Sequence, residues 1–326
     1  MTNRPSWIPA TVTQVRKVAR TIREFTFAPR AGASFPDFTP GAHLGLKLFV
    51  DDSTPLERNY SLIDPRLTNG VYRIAVLHEP LSKGGSAYLH HRAAPGSEVE
   101  IRAPANLFEL TDTAQPIVYI AAGIGITPVL AHLRGFPQEA DLRAVHFAAH
   151  RPEAMAFESE MKALCGEKLQ LYFTRVEGGK RPDLRAIIEA NRDAHFYACG
   201  PSGLIDDLEK CVAAAGLPKS ALHFERFTAA DSGSDAVNMP FEVELVSDGV
   251  VLNVDREQTI LEALEAAGYD PPFSCRAGIC RTCAVEVLSG EPDHRDSALD
   301  DEEKAAGNVI CTCISRAKSS RLKLDL

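Results

Sequence analysis

Five cysteines toward the C-terminal end carry the clearest chemistry in this chain. Cys275, Cys280 and Cys283 are spaced C-x4-C-x2-C, and Cys311 and Cys313 follow about thirty residues later. In that spacing a short loop wraps three thiolates round a plant-type [2Fe–2S] cluster, and a distant segment returns the fourth. Thiolates are the soft ligands that iron requires in such a centre. Ala277 and Gly278 are small, so backbone N–H groups can approach the cluster sulfurs. Cys311 and Cys313 are both in range as the fourth ligand. A competing arrangement sets Cys280-x2-Cys283 and Cys311-x-Cys313 round structural zinc, but it leaves Cys275 idle and its x4 spacing without a reason. The thiols could also be plain core residues. Cys165, Cys199 and Cys211 are scattered. In a reducing compartment, clustered thiols point to a metal centre rather than to disulfides.

Two glycine turns suggest a nucleotide. Ala121-Ala122-Gly123-Ile124-Gly125-Ile126-Thr127-Pro128 follows an apolar run and opens a helical pattern. Glycines allow close backbone approach to a phosphate, and a helix start favours a diphosphate. Thr127 is expected as the N-cap and Pro128 at the first helical position. The form is G-x-G-x-x-P rather than the full dinucleotide fingerprint, so an ordinary strand–helix turn competes with it. Cys199-Gly200-Pro201 ends another apolar run, where open α/β sheets bind ligands. His150 and Arg151 end a third and are candidates for ribose or phosphate contact, or for a solvated strand end.

A third group lies earlier. Arg58 can hold a cofactor phosphate in a bidentate contact. Tyr60 can pack on a flat ring, and Ser61 can hydrogen-bond at its edge. Lys83, Gly84, Gly85 and Ser86 can cradle the phosphate at a helix start. By composition alone, these are ordinary turn and surface residues.

The elements that must position these groups divide the chain into three. Residues 1–110 show short β-branched and aromatic runs (10–15, 23–28, 43–50, 71–78) broken by Pro and Gly, which predicts an antiparallel β-barrel or sandwich. Residues 111–228 alternate continuous apolar runs (117–120, 144–149, 169–174, 195–198) with helical patterns, which predicts a parallel-sheet α/β domain. Residues 229–239 are small and polar, as in a linker. Residues 240–326 open with a hairpin turning at Ser247-Asp248-Gly249, then a helix over 259–267 stopped at Gly268, in an α+β ferredoxin-like domain. The 326 residues suffice for two or three domains, with 45% hydrophobic and 24% charged residues. A net charge of −9 argues against nucleic acid. No apolar run is long enough to span a bilayer, and the start is no signal peptide, so a cytoplasmic protein is expected.

Taken in order, Arg58-x-Tyr60-Ser61, Gly123 to Pro128, Cys199-Gly200-Pro201, His223-Phe224-Glu225-Arg226-Phe227 and the terminal cysteines resemble the phthalate dioxygenase reductase family over essentially the whole chain. Gly290 to Asp296 and Cys313-Ile314-Ser315-Arg316-Ala317-Lys318 look particularly close to it. The resemblance implies FMN on the barrel, held by Arg58, Tyr60, Ser61, Lys83, Gly84, Gly85 and Ser86. It implies NADH on the middle domain, through Gly123, Gly125, Thr127, Cys199, Gly200 and Pro201, with Cys199 near the nicotinamide and Phe227 over the flavin ring. It favours Cys313 over Cys311, giving Cys275, Cys280, Cys283 and Cys313 as cluster ligands. The implied activity is electron transfer from NADH through FMN and [2Fe–2S] to a Rieske-type aromatic oxygenase or demethylase, with no catalytic acid or base. FAD in place of FMN and NADPH in place of NADH stay open. So do a reductase for a diiron monooxygenase and a zinc-stabilised nucleotide-binding module. Asp300-Asp301-Glu302-Glu303 can dock a basic partner or simply begin a helix.

Overall fold

A computed structural model describes residues 7–49, 55–79, 84–111, 114–137, 141–227, 238–273, 276 and 278–326. The chain forms two compact units, Pro5–Glu225 and Arg226–Leu326. Of the expected linker, only Asn238 and Met239 lie within the described residues.

The first unit begins with strands β1 (Trp7–Ala19), β2 (Ile22–Pro29), β3 (Ala42–Leu48), β4 (Leu56–Ser61) and β5 (Tyr72–Leu77). Helix α1 (Gly85–His91) and strand β6 (Glu98–Asn106) follow. The strands pair antiparallel in the order β4-β3-β6-β1-β2-β5. A bridge from Leu62 to Ile74 joins the two edges, so the sheet curls into a barrel. Its interior is lined by Phe25, Phe27, Leu44, Leu46, Tyr72 and Ile101, all buried. Each such side chain contributes about 2 kcal/mol by leaving water.

The second layer comprises β7 (Ile117–Ala122), α2 (Ile126–Arg134), β8 (Leu142–Ala149), α3 (Glu158–Cys165) and β9 (Leu169–Phe173). It continues through α4 (Leu184–Ala190), β10 (His195–Gly200), α5 (Ser202–Ala214) and β11 (Leu222–Arg226). The strand order is β11-β10-β7-β8-β9, and β10, β7, β8 and β9 run parallel. The continuous apolar run of β7 has a simple cause: Val118 and Ile120 pack into one core, while Tyr119 and Ala121 pack into another on the opposite face. Strand order reverses between β7 and β10. That reversal opens a crevice beyond their C-terminal ends. Buried Asp64 helps hold barrel to sheet. It accepts from Arg73 Nε (2.7 Å) and from Arg134 Nη1 (3.2 Å), and Arg134 also binds Glu160.

The second unit contains β12 (Phe241–Leu245), β13 (Val251–Val254), α6 (Ile260–Ala266), β14 (Ala284–Ser289) and β15 (Pro292–Asp293). After these come α7 (Asp301–Ala306), β16 (Val309–Cys311), β17 (Arg316–Ala317) and β18 (Arg321–Asp325). The main sheet has the order β13-β12-β18-β14-β16. The expected turn is present, with Gly249 N donating to Leu245 O. The expected helix begins one residue later, because Thr259 is its N-cap in a reciprocal capping box with Glu262. Asp300 caps α7 in the same way through Glu303, so the acidic run there is a helix start. Among the described residues no helix is long and apolar enough to cross a membrane.

Candidate redox site: three cofactor cradles

Arg58 and Tyr60 alternate on β4 and so share a face, while Ser61 turns to the other. Helix α1 begins directly against them. A Cβ on Gly85 would lie 2.9 Å from Arg58 Cγ and 3.4 Å from Tyr60 Oη. Only a glycine leaves the space between that first turn and the arginine. Burial lowers the Arg58 pKa and holds the Tyr60 phenol above its ordinary value, so Tyr60 stays neutral. A half-buried guanidinium facing a glycine turn suits an anionic phosphate. Ser86 Oγ, in the first turn of α1, accepts from Glu79 N (3.1 Å). Lys83 lies outside the described residues.

The two glycine turns stand side by side at the switch point. A Cβ on Gly125 would fall 2.2 Å from Cys199 O and 2.7 Å from Gly200 N, so the two turns touch backbone to backbone. Thr127 is not the N-cap that the sequence suggests. Gly123–Gly125 form a 3-10 turn, Gly125 caps α2, and Thr127 lies one residue inside the helix. Its Oγ1 donates to Ile124 O at 2.9 Å and stiffens the glycine turn from behind. Pro128 is likewise displaced from the first helical position, which Ile126 occupies. The Cys199 thiol is fully buried. Burial, and then the nearby Glu225 carboxylate, hold its pKa far above the ordinary value, so it is neither thiolate nor nucleophile. Glu225 reaches toward the barrel, 3.5 Å from Ser61 Oγ and 3.9 Å from His43 Nδ1. Sequence reading gave Glu225 no role of its own. His150 and Arg151 are exposed beyond β8. Phe227 directly follows β11 and is 37% exposed, which sets aside the plain core aromatic.

In the second unit Cys283, Cys311 and Cys313 share one small buried cluster with Leu261 and Leu299. A hydrogen bond with Cys283, and then burial, keep the Cys311 thiol protonated. Cys280 is half-buried on the loop before β14, and Cys275 and Ala277 lie outside the described residues. No group of three metal-binding side chains forms among the described residues. The loop is tightly wound, with φ of 52° at Arg276, 68° at Gly278 and 62° at Arg281. Non-glycine residues rarely adopt that region, and surrounding contacts must hold them there. Arg276 pairs with Glu265 of α6 (3.0 Å) and stacks on Phe273, and Arg281 pairs with Glu303 of α7 (3.0 Å). A Cβ on Gly278 would lie 2.6 Å from Ile314 Cγ2 and 3.0 Å from Asp296 Cα. Arg276 and Arg281 are thus clamped to α6 and α7, and Gly278 is pressed onto the segment that follows Cys313. Such a thiol-bearing loop fits an iron–sulfur cluster by the softness of its donors. The two arginine clamps escaped the sequence reading, since their partners lie on separate helices.

Comparison with known proteins agrees with this arrangement. The family described as "2Fe-2S iron-sulfur cluster binding domain" matches residues 243–318. The tetrachlorobenzoquinone reductase of Sphingobium chlorophenolicum is 36% identical over 100% of both chains. The beta subunit of a heme-dependent oxidative N-demethylase from Ectopseudomonas mendocina (strain ymp) is 35% identical over 97% of each. Among solved structures, phthalate dioxygenase reductase is described as a modular structure for electron transfer from pyridine nucleotides to [2Fe-2S]. It matches with a TM-score of 0.78 and 32% identity over 98% of each chain. With barrel, parallel sheet and terminal iron–sulfur domain in the same order, this chain belongs to the phthalate dioxygenase reductase family of oxidoreductases.

Proposed function

We propose that the protein takes a hydride from NADH and delivers its two electrons singly, through FMN and a [2Fe–2S] cluster, to a terminal oxygenase. The observation that carries this reading is the backbone contact between Gly125 and Cys199-Gly200. It makes a nucleotide crevice in the same compact unit as the Arg58–Gly85 cradle. When bound, the flavin exchanges two electrons with the nicotinamide and one at a time with the cluster.

The chain's own residues bind, orient and insulate. Arg58, with Lys83, Gly84, Gly85 and Ser86, takes the flavin phosphate. Neutral Tyr60 packs on the ring without adding charge, and Ser61 hydrogen-bonds at its edge. Gly123, Gly125, Thr127, Gly200 and Pro201 form the nucleotide diphosphate site. Cys199 packs as a neutral thiol beside the nicotinamide, and Phe227 shields the flavin face. Cys275, Cys280, Cys283 and Cys313 hold the cluster, and Cys311 donates a hydrogen bond to Cys283. No acid or base is required of the protein.

The partner is proposed to be a Rieske-type aromatic oxygenase or demethylase, reached in the cytoplasm. Asp301 and Glu302 on α7 are left facing solvent for it, since Asp300 and Glu303 are engaged in the cap. The test is an absorption spectrum of the purified protein, with flavin released by denaturation and identified. FMN with broad iron–sulfur absorption is the expected result. A colourless protein carrying zinc would overturn the reading.

A further inference from the structure

A cavity of about 150 Å³ lies at the far end of α1 from the glycine cradle. Lys17, Arg20, Arg23, His78, His90 and His91 line it, and no carboxylate among the described residues does. Local structure explains the convergence. Arg20 lies in the turn between β1 and β2 and Arg23 at the start of β2, and His78 N donates to Thr21 O (2.8 Å), tying the end of β5 to that turn. Arg23 Nη1 donates to His90 O (2.8 Å), one of the terminal carbonyls of α1. His90 Nε2 bonds Val76 O (2.8 Å), and burial keeps the His90 pKa below its ordinary value, so this ring shapes the wall as a neutral group. His78 Nε2 and His91 Nε2 stand 3.1 Å apart, in edge-to-face rings. At that distance the two nitrogens share one proton, one donating and the other accepting.

The charges around these histidines are one-sided. Lys17 lies in β1, Arg20 in the β1–β2 turn and Arg23 in β2, and His90 comes from α1. Of the acids beside these groups, Glu153 makes a 3.9 Å pair with exposed Arg20, Glu24 binds Arg16 and Arg73, and Glu79 is exposed. In a chain of net charge −9, three fixed cations therefore share one concavity that no carboxylate among the described residues lines.

We propose that this cavity binds an inorganic tetrahedral oxyanion, phosphate or sulfate, at a site separate from the cofactor phosphates. A compact dianion can accept from several donors on different elements, as Lys17 of β1, Arg20 of the turn and Arg23 of β2 offer at this lining.

Calorimetry on the full, cofactor-loaded chain with sodium sulfate tests this at constant ionic strength. One saturable site is expected, with phosphate competing for it. Arg20→Gln and His91→Gln are each expected to weaken binding about tenfold. Both side chains are exposed, and NADH oxidation should be unchanged in both variants. Absence of saturable uptake, lack of competition by phosphate, or affinity untouched by either variant would overturn the proposal. So would a site that ignores both anions and takes Zn2+ through His78 and His91.

Discussion

Gly125→Ala is the substitution that most sharply probes the nucleotide crevice. The residue has φ −61°, so alanine suits its backbone and any effect must come from space. The new methyl would lie 2.2 Å from Cys199 O, 2.5 Å from Cys199 C and 2.7 Å from Gly200 N. Carbon rests against a carbonyl oxygen at about 3.3 Å, so the two turns must part by about 1 Å. All three obstacles are backbone atoms, so no rotamer change relieves them. Overpacking of this kind costs about 1–3 kcal/mol. For a unit of this size, at about 2–4 °C per kcal/mol, that lowers the melting temperature by about 2–12 °C. A displacement of about 1 Å at the site weakens productive NADH use by about a hundredfold. Gly123→Ala is the control. Gly123 has φ +57° with nothing within 4 Å of its missing Cβ, so alanine costs only backbone strain of about 1 kcal/mol and leaves the turns touching. Anaerobic stopped-flow reduction of the bound flavin by NADH, beside thermal melts, separates the two. Wild-type NADH use in Gly125→Ala, or greater damage in Gly123→Ala, would refute the role of this contact.

Other perturbations act on the remaining cradles. Arg58→Ala should weaken FMN by about 2 kcal/mol, or about thirtyfold, in fluorescence titration of the apoprotein, and Arg58→Lys should recover part of the loss. Cys313→Ser should abolish the cluster by iron count and EPR, whereas Cys311→Ser should keep the cluster and shift its potential upward, because one hydrogen bond to Cys283 is exchanged for a different one. Buried His132 has its pKa pushed down to about 4 by burial, with Nε2 2.8 Å from Phe108 O. Its folded pKa lies below the unfolded value near about 6.5, so its contribution is complete above that value and is lost as pH falls toward about 4. The loss is about 3 kcal/mol by urea melts, and His132→Gln should flatten this slope.

The sequence was most legible where one physical cause dominated. Strand β7 is buried on both faces and reads as an unbroken apolar run, and Thr259 with Glu262 marks a helix start because the cap is local. Strand β4 was not read as a strand. Leu-Glu-Arg-Asn-Tyr-Ser lies half-buried at one side of the barrel, so tertiary pairing with β3, not alternation, makes it a strand. Thr127 looked like an N-cap because the 3-10 turn at Gly123–Gly125 leaves no mark in the sequence beyond its glycines. The candidate site residues were visible as motifs. What was not visible is what holds them: Arg276 on Glu265, Arg281 on Glu303, and Glu225 beside Ser61 and His43 all join residues from separate elements.

The most direct test of the electron relay is anaerobic titration of the purified protein with NADH, followed by absorption and low-temperature EPR. Stepwise bleaching of flavin absorption, together with the EPR signal of a reduced [2Fe–2S] cluster, is the expected result. A flavin that bleaches while no iron–sulfur signal develops, or a protein that NADH leaves unchanged, would contradict it.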